Sequence, residues 1–544
     1  MTSEPRAFLA LDLGAATSSA ALIGRVAHRW RLIGSLAVPS AGDVEDLVRE
    51  LIRRAAAADR DLAGSIGLAS AAGLTDVEDA RATLPRLVAR SAPPRTILVC
   101  AATGRALAPL AAAARETGWR TTTATLDGAD PIEMVGRLLD PAVDVLLLGA
   151  GDPPGADERR LIGDLASVAA GAVRRRPDLT LILAGAMTEQ LERIEAVAGS
   201  RGGEILLAPP ATAGEPSGSA LRTLLDEIRG GADDPRRSAG RAVGALADVL
   251  DRRVELVEIG FNGGLRATAS PGVGGAPAEA TVSIVADACL VPAESGDELV
   301  DRVLAWSTTP VDRHRLRDRL RELRLWPWSG VSGDGARLRL AAARAALAIL
   351  IDATPAQSAQ PGPDLVIVSG GAFAVAPGPA VALAIADVLR RPAAIAIAQD
   401  HARLIGTLGI IPDAMERRQA LLDLVDDILT PLGSVVIPGG IRAGASAGRL
   451  TIRTETGVSE TDLVPGGLAL VDLPPGATAT AEFQFRDAVR LGTRGRRFAV
   501  DVSGGLGGLL VDLRDVPLRL PERMDRRREL LEAWQESLWL TRDR

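Results

Sequence analysis

Lysine is absent from this chain of 544 residues, so all 62 of its strongly basic side chains are arginine. A Walker A phosphate loop needs its lysine, and a Schiff-base mechanism needs the amine. Both are excluded. Tyrosine is also absent, and aromatic residues make up only 2% of the chain, which leaves aliphatic side chains to build the core. Cysteine occurs twice, as Cys100 and Cys289, far apart in sequence. That rules against a disulfide framework and fits a reducing compartment. The three histidines, His28, His314 and His401, are scattered, and none stands at metal-ligand spacing from another His or Cys. No uninterrupted apolar run reaches about 18 residues, so no membrane span is expected. The first residues are polar, without a hydrophobic signal segment, and a cytoplasmic location is expected. Net charge is −7 with no basic tract, which argues against a nucleic-acid partner.

Against these absences stand several glycine corners. The first is Phe8 to Ile23, reading FLALDLGAATSSAALI. Its run lengths suit two buried strands joined by a tight turn of small residues. Gly14 lets the backbone turn there. A turn with exposed N–H groups, flanked by Thr17, Ser18 and Ser19, can hold a phosphate by hydrogen bonds. Asp12, at the end of the first strand, could hold a hydrated Mg2+, an ion that keeps its waters and needs few carboxylates. The same pattern also fits an ordinary hairpin with a Gly turn.

At roughly 150 residues per domain the length implies three or four domains. Val44 to Ala58 reads as an amphipathic helix. Between 95 and 230, apolar runs at Thr96–Cys100, Thr121–Thr125, Val143–Leu148, Leu179–Leu183 and Glu204–Leu207 alternate with helical stretches. That alternation predicts parallel strands with helices on the faces of the sheet. A cobalamin-binding domain is a competing reading. No histidine lies between His28 and His314, so this sheet cannot supply a lower-axial His ligand. Gly230 to Arg237 reads as a linker. Val254–Ile259 is a strand running into Glu258-Ile259-Gly260-Phe261-Asn262-Gly263-Gly264, a second bendable corner. Asp364–Val368 is a strand leading into Ser369-Gly370-Gly371 and then a helix, a third. There, glycines let the backbone pass close to a ligand and a helix N-terminus can support phosphate charge. From Gly433 on, short apolar runs alternate with Gly/Pro turns, and a helix over Glu522–Trp539 closes the chain.

Strand–Asp12–x–Gly14–small–small–Thr17–Ser18–strand resembles the first phosphate motif of the actin-like ATPase superfamily. Over nearly its whole length the chain resembles the MutL/GlmL family, accessory or reactivating proteins of adenosylcobalamin-dependent glutamate mutase. The segments in common include Ser70-Ala71-Ala72-Gly73, Leu148 to Gly155, Ser369-Gly370-Gly371, Asp400 with Gly406-Thr407-Leu408-Gly409, and Val502–Arg514. The resemblance implies an α/β protein of actin-like (ribonuclease H-like) lobes with an inserted parallel α/β domain and a small C-terminal β domain. The expected divisions are 1–75, 76–235, 236–432 and 433–544. It implies ATP and Mg2+ as cofactors and a cobalamin-dependent mutase subunit as partner. Asp12 would serve catalysis and hold the metal, with Glu258 assisting it or orienting water. Gly14, Thr17 and Ser18 would meet phosphate, Gly260 and Gly263 would form the second phosphate corner, and Ser369, Gly370 and Gly371 would meet the adenosine. At that second corner the family's Asp is Glu258, its second Gly is Phe261, and both Thr hydroxyls are missing. Magnesium demands near-ideal octahedral geometry, so the longer Glu matters. Three roles follow: a nucleotide-driven accessory factor, a pseudo-ATPase scaffold that has lost hydrolysis, and, more distantly, a small-molecule kinase. On the first role, Asp12→Ala lowers nucleotide affinity.

Overall fold

The computed structural model describes residues 6–539 apart from 41, 67–68, 71–72, 75–83, 92–94, 127–130, 152, 200–202, 211–219, 231–234, 292–295, 331, 355–361, 375, 390 and 456. Of the motifs singled out above, Ala71, Ala72 and Asp152 lie outside the described residues. The chain divides into two compact units. One holds residues 1–91, 234–282 and 288–544; the other holds 92–233 and 283–287.

The larger unit begins with β1 (Ala7–Leu13), β2 (Thr17–Val26) and β3 (Arg29–Pro39), an antiparallel meander, and β4 (Arg86–Arg90), which lies parallel to β1. The sheet order is β3-β2-β1-β4. Helix α1 (Val44–Ala58) covers it. Asp43 starts that helix by accepting the N–H of Glu45 at 2.8 Å, and acids in the first turn suit the helix dipole. Leu47, Val48, Leu51 and Ile52 recur at helical spacing and pack on Leu9, Leu11 and Leu22 of the sheet.

The smaller unit is a five-stranded, wholly parallel sheet. Its strands are β5 (Thr96–Ala101), β6 (Arg120–Thr125), β7 (Val145–Ala150), β8 (Thr180–Gly185) and β9 (Ile205–Ala208), in the order β9-β8-β7-β5-β6. Helices α2 (Gly104–Glu116), α3 (Pro131–Leu138), α4 (Ala156–Arg175), α5 (Leu191–Ala198) and α6 (Ala220–Arg229) alternate with the strands. Side chains alternate along a strand. So β7 sends Leu146 and Leu148 into one core and Val145 and Leu147 into another. Burial on both faces explains why these strands read as continuous apolar runs. Cys100 is buried and free in β5, and burial pushes its thiol up to about 12, which leaves it unreactive.

Back in the larger unit, α7 (Pro235–Leu250) precedes a second sheet built on the plan of the first. Strands β10 (Val254–Ile259), β11 (Gly264–Ala269) and β12 (Ala280–Val285) are consecutive neighbours. Then β13 (Leu365–Ser369) lies parallel to β10, and β14 (Ala393–Asp400) parallel to β13. Helices α8 (Gly333–Ala353), α9 (Gly378–Leu389) and α10 (Ala414–Ile428) belong to this lobe. Both sheets thus place a three-strand meander beside a parallel strand paired to the meander's first strand. This is the expected α/β architecture, with two lobes built on one plan. The second sheet is extended by β15 (Leu429–Ile437) and by strands from the chain's end, giving β12-β11-β10-β13-β14-β15-β21-β18. The remaining C-terminal strands are β16 (Gly448–Thr454), β17 (Gly457–Leu463), β18 (Leu468–Val471), β19 (Thr478–Leu491), β20 (Thr493–Ser503) and β21 (Leu509–Asp512). Of these, β17-β16-β19-β20 form a separate antiparallel sheet. Phe483 and Leu450 of that sheet share a core with Val436 and Leu509 of the long one.

Two polar devices hold the larger unit. The edge strand β3 is fastened to α10: the N–H groups of Trp30 and Leu32 donate to Asp423 and Asp427, each at 3.1 Å, and Arg31 pairs with Asp427 at 2.9 Å. Deeper, Arg344 of α8 meets Asp387 of α9 at 2.7 Å. Arg514 meets Asp387 at 2.8 Å and Asp512 at 2.7 Å. All four are buried, and Arg514 lies 4.4 Å from the ring centre of Trp534 in the closing helix α11 (Met524–Trp539).

Candidate functional site

Three parallel strands bring their ends together. Register sets Glu258 of β10 beside Ser369 of β13, and Val368 of β13 beside Gln399 of β14. Glu258, Ser369 and Asp400 therefore stand in a row at the carboxyl ends of the strands, where open α/β sheets take their ligands. The turn from Gly14 to Ala16, between β1 and β2 of the other lobe, faces the same space. Together they line one open cleft enclosing about 1040 Å3, its mouth included.

Asp12, Gly14, Thr17, Glu258, Gly260, Gly263, Ser369, Gly370 and Gly371 all line this cleft. Ser18 does not. It is buried within β2, its neighbours across the ladders being Leu13 and Val38. The glycine corners are closely fitted. The Gly14 N–H donates to the Thr17 carbonyl at 3.1 Å, and the Gly260 N–H donates to Gly263 at 3.0 Å. Gly370 has a φ of +89°, and a Cβ there would stand 2.3 Å from the carbonyl oxygen of Ile259. Only glycine fits such a place. Phe261, where the resembling motif has glycine, lines the cleft and receives the Arg324 guanidinium 5.1 Å from its ring centre.

Sequence reasoning missed two cations at the wall, Arg403 and Arg339. Arg403 Nε lies 4.0 Å from Asp12 Oδ2, and its Nη1 donates to the Thr17 hydroxyl. Its backbone is left-handed at φ +57°, unusual for a residue with a Cβ. Arg339 of α8 is buried. Its Nη1 donates to the carbonyls of Pro327 at 2.5 Å and Ser329 at 3.2 Å, and its Nη2 to that of Gly371 at 3.5 Å, while Nε finds no partner. The available signal for Arg339 was a charge amid the apolar core positions of its helix, since a buried charge needs a reason. For Arg403 the signal was its place three residues after the strand-end carboxylate.

The carboxylates are differently placed. Asp400 is buried and engaged by three donors: the N–H groups of Leu404 at 2.9 Å and Ile405 at 3.2 Å, and the Ser369 hydroxyl at 3.1 Å. Burial still leaves its pKa raised, those hydrogen bonds opposing the shift. Asp12 keeps 24% of its side chain exposed. Burial pushes its pKa up to about 6 from 3.8, Arg403 opposing and Asp400 adding to the rise. Among the described residues no three His, Cys, Asp or Glu side chains converge as a metal site. The one carboxylate expected to hold Mg2+ faces a fixed guanidinium instead.

A pH effect on stability follows. Because the folded pKa of Asp12 exceeds its unfolded value, folding takes up a proton between about pH 4 and 6. The stability present below pH 4 is lost as pH rises through 6, by up to about 3 kcal/mol. Asp12→Asn is uncharged throughout and escapes this loss. Denaturant midpoints should coincide for the two proteins near pH 4 and favour the variant at pH 8. Equal midpoints at pH 8 would show that Asp12 sits in an ordinary aqueous setting.

No family model matches the chain, and no curated protein matches it. Solved structures do show likeness. The Aquifex aeolicus Ppx/GppA phosphatase is similar at 9% identity, with 68% of each chain covered and a TM-score of 0.17. A PilM-PilN type IV pilus biogenesis complex is similar at 10% identity, over 76% of this chain and 98% of that one, with a TM-score of 0.22. YeaZ from Pseudomonas aeruginosa is similar at 11% identity, over 54% and 72%, with a TM-score of 0.13. No residue role is carried over from them. Among the described residues, no helix is long and apolar enough to cross a membrane.

Proposed function

We propose that the cleft between the two actin-like lobes binds a nucleotide, with ATP the expected one, and that the protein acts as an accessory factor rather than through efficient hydrolysis. The observation that carries this reading is the meeting of the Gly14 and Gly370 corners, more than 350 residues apart, across one cleft. Gly14 and Thr17 would receive phosphate, Gly260 and Gly263 would form the second phosphate corner, and Ser369 to Gly371 would lie against the nucleoside. The resemblance to the MutL/GlmL family supports a cobalamin-dependent mutase as the partner, and the sparse cysteine fits the cytoplasm as the setting. A kinase role has less support, since no cleft residue stands out as the base for an acceptor.

One observation favours the pseudo-ATPase form of this reading. Phosphoryl transfer relies on charge and hydroxyls positioned around the phosphates. At the second corner Phe261 replaces a glycine and both Thr hydroxyls of the resembling motif are missing, Asp400 is held by three donors, and Asp12 faces Arg403. Glu258 remains the candidate for orienting water. The expected result is saturable ATP binding by calorimetry with no phosphate release above background. Turnover that disappears in Glu258→Gln would instead assign an active ATPase. Co-purification of a glutamate mutase subunit with the full chain, strengthened by ATP, is expected of the accessory role. Its absence with and without nucleotide would remove the mutase from the account.

A further inference from the structure

Without lysine, any fixed positive charge that this protein offers a phosphate must come from arginine or from a helix end. Two arginines line the cleft, one on each side of the glycine corners. Arg403 reaches to Asp12 and Thr17, at the first corner. Arg339 reaches to the carbonyl of Gly371, at the third, and its Nε has no partner in a buried setting. We propose that the cleft meets the phosphate charge of its ligand with the guanidinium groups of Arg403 and Arg339, without a bridging divalent cation. This rests on the nucleotide reading for the ligand's identity, but the charge argument concerns the phosphates alone.

Several features support it. Arg403 is held in a left-handed backbone, a conformation that persists only when its surroundings over-determine it. It projects from the loop after β14 to within 4.0 Å of the Asp12 carboxylate. Thr17, the hydroxyl expected to meet phosphate, is already in its reach. Arginine presents a planar fork matched to phosphate oxygens and stays charged when partly buried. Arg339 offers the orphaned Nε that a ligand oxygen would satisfy, and an unmet buried donor is otherwise costly. The carboxylates Asp12, Glu258 and Asp400 line the same cleft. Of these, Asp12 stands beside Arg403, while Asp400 is held by the Leu404 and Ile405 N–H groups and the Ser369 hydroxyl.

The test uses the full chain and two probes, ATP and inorganic triphosphate, each titrated by calorimetry in EDTA and again with saturating Mg2+. Expected is binding in EDTA, with an affinity that Mg2+ leaves unchanged or weakens, because the ion screens the charge the arginines recognise. Arg403→Ala should weaken both probes on the order of tenfold or more, and Arg403→Lys should recover part of that. Arg339→Gln should act in the same direction. Thermal melts of each variant show whether it is folded. Affinity at least tenfold tighter with Mg2+, or unchanged affinity in folded Arg403→Ala, would overturn the proposal. If triphosphate binds in EDTA and ATP does not, the nucleotide reading falls and the arginine site stands. If neither probe binds in either buffer, both fall.

Discussion

Arg514→Ala should destabilise the larger unit by about 3–5 kcal/mol, the cost of leaving buried carboxylates without their counter-charge. Arg514 is the only bridge between Asp387 and Asp512 among the buried ion pairs described, at 2.8 and 2.7 Å, and its guanidinium also lies under Trp534. Removing it takes a paired guanidinium from both Asp512 and Asp387, leaving Arg344 facing Asp387. The ion pair of Arg453 and Glu482 has the same short contact, 2.8 Å, but both side chains are about half exposed. Arg453→Ala should therefore cost far less, because solvent screens an exposed pair. Replacing the four charges together by apolar residues of similar size should recover much of the loss, because the cost lies in the unpaired charge rather than in the pair itself. Chemical denaturation of the three variants checks this ordering. A loss below 1 kcal/mol for Arg514→Ala would mean that water reaches the cluster.

Gly370→Ala should cost about 2–4 kcal/mol and abolish nucleotide binding. A left-handed backbone penalises any Cβ by about 1 kcal/mol. The larger part comes from the Ile259 carbonyl oxygen, 2.3 Å from where that Cβ would lie. This oxygen belongs to the neighbouring strand and cannot rotate aside, so the third corner must move away from the second. Gly371 is the control. Its φ is not left-handed, and a Cβ there meets nothing within 4 Å. Gly371→Ala should leave stability within about 0.5 kcal/mol, the range of an uncrowded substitution, while its methyl enters the ligand's space and weakens binding. Equal melting of the two variants would refute the argument from the Ile259 carbonyl.

Much of the fold was legible because its signals are local. The first hairpin ends at Leu13 and resumes at Thr17, as the position of Gly14 suggests. Helix α1 runs from Val44 to Ala58, the span its apolar spacing marks. The parallel sheet of the smaller unit appeared as five apolar runs because both of its faces are buried. What escaped notice lacks such a signal. Strand β17 (GVSETDL) is mostly exposed, held by its pairing with β16 rather than by a buried face. Helix α10 carries acids that fasten β3, a function visible only when residues 393 to 396 positions apart meet. At the site, the glycine corners were legible through turn chemistry. The cations were not, because Arg403 and Arg339 come from a loop and a helix whose approach depends on tertiary packing. The neighbour of Asp12 was hidden for the same reason: nothing near Asp12 in sequence announces Arg403.

Hydrogen–deuterium exchange of the full chain with and without ATP tests the shared cleft most directly. The account predicts that ATP slows exchange together at three separated stretches: 13–18, 259–264 and 369–372. Protection at only one of them, or confined to residues 92–233, would contradict it.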